Sequence, residues 1–175
     1  MTVVPEAQRL SELQRVGVSE LIIRLSAGEP VHDLFRFRCE SPPYAVYHGA
    51  SVPVGPTFVP LWECCDSVTG VWERDGRLGF LEFSIEDPRE YRAISNTEQG
   101  LLADLFLKLY EDRDDLGLDD FREPARLIGF RFLDEMVTAY EGAPHATFEA
   151  HKSFQRDFLA RIDRLVSGEP DEHQR

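Results

Sequence analysis

Residues 57–86 read TFVPLWECCDSVTGVWERDGRLGFLEFSIE, and this stretch decides the fold. Phe58, Val59, Leu61 and Trp62 predict one strand, and residues 68–73 predict a second. Asp75-Gly76 between β-forming runs is a two-residue hairpin signal. Residues 78–85 predict the third strand. Its alternation sets Leu81, Phe83 and Ile85 on one face, with Leu78, Phe80, Glu82 and Ser84 on the other. Asp87-Pro88 closes the run. Strands joined by such short turns make an antiparallel meander.

Towards the C-terminus the period changes from two to 3.6. Ser95-Asn96-Thr97-Glu98 matches a capping box, with Ser95 as the cap and Glu98 reaching back. Leu101, Leu102, Leu105, Phe106 and Leu109 then form a helical stripe. It runs into the acidic series Glu111-Asp112-Arg113-Asp114-Asp115. Pro124 suits the opening of a second helix that buries Leu127, Ile128, Leu133, Met136, Val137 and Tyr140. Gly142 and Pro144 stop it. A last helix is expected over 147–166, with Phe148, Phe154, Phe158, Ile162 and Leu165 on one face.

Towards the N-terminus the signals are weaker. Pro5 suits a first helical turn, and Leu10, Leu13, Leu21, Ile22 and Leu25 fall near one helix face. Gly17 interrupts it, Ser19 suits the cap of a second piece, and Gly28 with Pro30 ends it. Phe35 and Phe37 alternate with Arg36 and Arg38, which predicts a short strand, and another is expected around residues 45–47. Strands and helices are segregated along the chain, so the fold class is α+β: N-terminal helix, central antiparallel β-meander, three C-terminal helices. A single domain is expected over 1–167, with a disordered tail at 168–175.

The chain has 175 residues, 42% of them hydrophobic, which is ample for a core. Its net charge of −13 is uneven, because −10 of it lies between residues 51 and 125. Such a field repels nucleic acid and steers basic partners inward. The start of the chain lacks a basic run and an apolar core, so no secretory leader is expected. No run approaches the length of a membrane span. Three cysteines, two of them adjacent, give no disulfide framework. A reducing, cytoplasmic setting is the expectation.

No phosphate-binding glycine loop occurs. Gly49-Ala50-Ser51-Val52-Pro53 lacks the second glycine of a nucleophile elbow. His32, His48, His145, His151 and His173 are too far apart in sequence for a helical metal pair, and Cys64-Cys65 is too tight for a CxxC clamp. Neither a metal nor another cofactor is expected, and no residue reads as catalytic. Trp62 and Trp72, on neighbouring strands, suit either the core or an interface anchor. Asp112, Asp114, Asp115, Asp119 and Asp120 form the densest charge feature. Their spacing does not fit a calcium loop. Such runs are usually solvated helix ends, but carboxylates at a helix C-terminus oppose the macrodipole, which adds weight to a binding role.

Gly55-Pro56-Thr57-Phe58-Val59-Pro60-Leu61-Trp62, Thr69-Gly70-Val71-Trp72, Leu81-Glu82-Phe83 and Thr97-Glu98-Gln99-Gly100-Leu101-Leu102 together resemble SMI1/KNR4-like proteins of the SUKH superfamily. The resemblance covers about residues 50–110. It implies a bacterial α+β domain without catalytic residues, of a kind in which many members look like immunity proteins against nuclease toxins. The charge reading agrees, since nuclease toxins are basic. The expected function is therefore neutralisation of a basic protein toxin through Asp112, Asp114, Asp115, Asp119, Asp120, Trp62 and Trp72, with no nucleic acid or membrane as partner. An acidic secretion chaperone and an enzyme with a dispersed site around His48, Cys64 and Asp66 are the alternatives. The oligomeric state is left open.

Overall fold

A computed structural model describes residues 2–29, 31–48, 57–74, 76–87, 90–144 and 147–168. The elbow lookalike around Ser51, the hairpin residue Asp75, His145, His173 and the tail from 169 lie outside them. The described strands form one sheet in the order β1 (Thr2–Val3), β2 (Thr57–Cys64), β3 (Ser67–Arg74), β4 (Arg77–Ser84) and β5 (Tyr91–Ser95). The meander expected over 57–86 is present, with β2–β3 and β3–β4 both antiparallel. The two-residue β1 adds a parallel edge to β2, which the sequence did not announce. The chain gathers into two compact units, Met1–Ala93 and Ile94–Arg175, and their boundary falls within β5.

In the first unit the sheet buries side chains on both faces. Phe58, Val68, Leu81 and Phe83 pack together on one of them, with Val46 laid against them. Val59, Val71 and Phe80, at alternating positions, are buried on the other. Between Pro60 and Trp62 the β2 register slips by one residue, so Leu61 is a bulge. Proline at such a place costs no regular ladder bond. Arg9 answers the disturbed carbonyls. It is 3% exposed. Its guanidinium donates to Pro60 O at 3.4 Å, Leu61 O at 3.5 Å and Ser26 O at 2.9 Å. Burial lowers the Arg9 pKa, and the carbonyls take the place of water around the charge.

The expected N-terminal helix is two short ones, α1 (Arg9–Arg15) and α2 (Glu20–Ser26), with Gly17 between them and Ser19 at the second N-cap. Leu13, Ile22 and Leu25 are buried, whereas Leu10 is exposed. Neither strand expected in the N-terminal third forms. Asp33–Phe35 is a 3-10 turn whose Leu34 N–H is accepted by His32 Nδ1 at 3.1 Å, and this winding buries Phe35 while exposing Phe37. Ala45–His48 is a single helical turn, α3. Its cause is Glu63, whose buried carboxylate accepts Ala45 N–H and Val46 N–H, each at 3.0 Å. A carboxylate at that end satisfies donors no helix can satisfy internally.

The second unit holds α4 (Glu98–Asp112), α5 (Leu118–Ile128), α6 (Leu133–Glu141) and α7 (Phe148–Ser167). α4 packs on α6 and α7, and α5 packs on α6. Three helices were expected after the meander, and the described residues form four, because the middle one divides. Gly129 ends α5 at φ +74, with Phe130 N–H donating to Ala125 O and Gly129 N–H to Arg126 O, a Schellman closure. Gln99 then clamps the turn, donating to Gly129 O at 2.8 Å and accepting Arg131 N–H at 3.0 Å. Pro124 lies inside α5 rather than opening it. The cap of α4 is Thr97, which accepts Gly100 N–H at 3.1 Å, rather than Ser95. The α4 stripe is buried as expected, and so are Phe158 and Ile162 of α7, but Phe148 and Leu165 at its ends are exposed. Among the described residues no helix is long and apolar enough to cross a membrane.

Candidate functional site

The acidic run spans the end of α4, a turn and the start of α5. These positions differ physically. Glu111 and Asp112 lie in the last turn of α4, where the carbonyl end of the helix is already negative and no basic residue stands in that turn. Asp119 and Asp120 lie in the first turn of α5, where a carboxylate is favourable. The reading that the whole run opposes a helix dipole therefore holds only for its first two members.

Partners distinguish the acids further. Glu111 is half-buried and meets His151 Nε2 at 3.1 Å and the Gln155 amide at 3.2 Å, both on α7. Asp115 accepts a two-pronged contact from Arg113, at 2.9 and 3.0 Å. That guanidinium holds the Asp115 carboxyl below the usual carboxylate range. Asp119 pairs with Arg122 at 3.0 Å, and Arg122 also reaches Asp134 at 3.0 Å. The Asp120 carboxylate accepts Gly117 N–H at 2.8 Å. This is half of a capping box, since Gly117 has no side chain to return the bond. Asp112, Asp114, Asp115, Asp119 and Asp120 are all exposed. Residues 111–120 carry six acids and one base. Arg113 inside the run and Arg122 just after it organise the run without cancelling it.

The tryptophans lie in the first unit and the acidic run in the second. Trp62 is 3% exposed and takes the core role, so it offers no surface to a partner. Trp72 is partly buried against the Phe58 cluster. It faces Gly79 across the β3–β4 ladder. A Cβ at Gly79 would stand 2.1 Å from the indole Nε1, so the glycine makes room for the ring.

Four other acids of the charged middle region, Glu63, Asp66, Glu73 and Glu82, each have a partner within the fold. Glu63 is buried at the start of α3. Glu73 binds Arg15 at 2.6 Å, and Glu82 binds Arg92 at 2.5 Å. Asp66 is exposed and accepts the Ser84 hydroxyl at 3.4 Å. His48 stacks on Tyr44 and lies 2.8 Å from its carbonyl through Nδ1. Among the described residues no group of three or more His, Cys, Asp or Glu is placed to hold a metal ion. Sequence alone did not reveal the roles of three arginines: Arg113 within the run, Arg122 just after it, and Arg38, whose guanidinium lies 3.7 Å from Cys64 Sγ. No family model, no curated protein and no solved structure matches this chain.

Proposed function

We propose that this chain is a protein-binding module that neutralises a basic protein toxin, the function that its resemblance to SMI1/KNR4-like immunity proteins implies. The recognition surface is the exposed run Asp112, Asp114, Asp115, Asp119 and Asp120, with Trp62 left out because it is buried. The single observation that carries the reading is the exposed Asp112 in the last turn of α4, followed by Asp114 and Asp115 in the turn beyond it. Negative charge there costs the helix stability and is exposed to solvent, which is the expected trade where a surface serves a partner. Arg113 and Arg122 hold carboxylates in fixed directions, which limits the ordering cost on binding.

The test begins with the gene next to this one. The reading expects an adjacent long gene whose product ends in a small basic toxin domain. Co-expression of this chain is expected to rescue cells from that domain, and the two proteins are expected to co-purify as a salt-sensitive complex. Unrescued toxicity with both proteins present and folded would overturn the reading.

A further inference from the structure

Cys64 and Cys65 stand where β2 turns into β3. Cys64 pairs with Ser67 across the ladder, so Cys65 and Asp66 alone form the turn. Neighbours in a strand point to opposite faces, but Cys65 has φ +55 and leaves the strand geometry. The two sulfurs lie 4.0 Å apart, and both thiols are free. Cys65 is exposed and Cys64 half-buried. The Arg38 guanidinium reaches the Cys64 sulfur at 3.7 Å.

This pair is badly placed for an ordinary disulfide. Adjacent Cα atoms are about 3.8 Å apart across a trans peptide, and disulfides usually span about 4.4–6.8 Å. It is well placed for an ion. With metal–thiolate bonds of about 2.3 Å, sulfurs 4.0 Å apart embrace one ion at an angle of about 120° without moving.

We propose that Cys64 and Cys65 form a two-thiolate site for one soft monovalent cation of the Cu(I) class. Thiolates select soft ions. That angle is the one of a three-coordinate ion, and among the described residues no His, Cys, Asp or Glu cluster supplies the four ligands of tetrahedral zinc, so an exogenous donor takes the third position beside the exposed Cys65. Two thiolates around a monovalent ion leave one negative charge, which the Arg38 guanidinium, 3.7 Å from the Cys64 sulfur, favours. Binding forms two sulfur–metal bonds and breaks two S–H bonds, both protons pass to solvent, and the ion keeps its oxidation state. The absence of CxxC spacing and of helical histidine pairs does not bear on this site, because a tight turn brings adjacent sulfurs together.

The test is an anaerobic titration of the reduced full chain with Cu(I) buffered by a chromophoric chelator, followed through thiolate-to-metal absorption in the ultraviolet. One ion per chain is expected. Losing one arm of a chelate removes its effective concentration, so Cys64→Ser and Cys65→Ser are each expected to weaken binding at least about 100-fold. Arg38→Gln touches no bond to the ion and is expected to weaken it about 10-fold. Cys65 is exposed, so Cys65→Ser is expected to keep the wild-type circular dichroism, and its loss of affinity then reports the site rather than the fold. Wild-type affinity in Cys65→Ser would mean a lone thiol and would overturn the site. Unchanged affinity in Arg38→Gln would overturn the part given to Arg38 in the site.

Discussion

The Asp163 carboxylate accepts the Ser95 hydroxyl at 2.5 Å, joining residues 68 positions apart. It also accepts Asn96 N–H at 2.9 Å and the Thr97 hydroxyl at 2.7 Å. Ser95, Asn96 and Thr97 lead into α4, so one carboxylate on α7 fastens the start of its neighbour. Asp163→Ala strands three donors and is expected to cost about 2–4 kcal/mol in urea denaturation, with Asp163→Asn losing less. A loss below about 1 kcal/mol would mean that water replaces the carboxylate without penalty.

The β3–β4 hairpin gives two separable glycine effects. Arg74 pairs with Arg77, and Gly76 stands at φ +72 with open space where a Cβ would go. Gly76→Val therefore carries backbone strain alone, expected at about 1–3 kcal/mol. Gly79→Ala carries a collision with the Trp72 indole instead. Its expected signature is a red-shifted tryptophan emission as the ring is pushed outward. Unchanged emission with unchanged stability would show that the indole does not rest on Gly79.

Tyr47 packs against the Phe58 cluster, and its buried hydroxyl has no hydrogen-bond partner among the described residues. An unsatisfied buried hydroxyl is destabilising, so Tyr47→Phe is expected to be neutral or to stabilise by up to about 1 kcal/mol at neutral pH. Burial pushes the Tyr47 pKa from 10.0 to about 12. The unfolded chain thus loses this proton near 10 while the folded chain keeps it to about 12. The folded state binds more protons in that window, so stability falls as pH rises through it. Tyr47→Phe is expected to flatten the fall, measured by denaturation between pH 9 and 12. An identical alkaline slope in the variant would assign it to other groups.

Changing Asp112, Asp114, Asp115, Asp119 and Asp120 together to Asn keeps size and removes five charges. Stopped-flow association with the basic partner is expected to slow, and its salt dependence to flatten, with dissociation changed less. The exposed positions of these acids make a folding defect unexpected. The one exception is Asp120, whose bond to Gly117 N–H supports the start of α5. A control that keeps Asp120 separates the two effects. Association unchanged at both low and high salt would remove the run from the recognition surface.

The meander was legible because alternation and Asp75-Gly76 are local signals. The α4 and α7 stripes were legible because Leu105, Phe106, Phe158 and Ile162 repeat at helical spacing. The division of α5 from α6 was also written locally, in Gly129 followed by the apolar Phe130, but the continuous stripe on either side masked it. The misread strands had a different cause. Ala45, Val46 and Tyr47 have strand-like composition, and it is a carboxylate 16 to 18 residues later that winds them into a turn. The same limit applies to the site. The acidic run is visible in sequence, whereas the reach of Arg38 to Cys64 depends on a fold that brings residues 26 positions apart together.

The bulge at Leu61 has an evolutionary consequence. Beyond it Glu63 lies opposite Val68, on the face where α3 waits, and Trp62 lies opposite Thr69. Without the extra residue the parity of the strand would invert. Trp62 would then turn towards α3, and Glu63 would leave the Ala45 and Val46 amides unanswered. Single-residue insertions and deletions between Phe58 and Glu63 are thus forbidden in related sequences unless a second one restores the count, while paired changes are tolerated. Lineages of this chain are expected to vary freely in loop length yet keep the spacing from Phe58 to Glu63 odd.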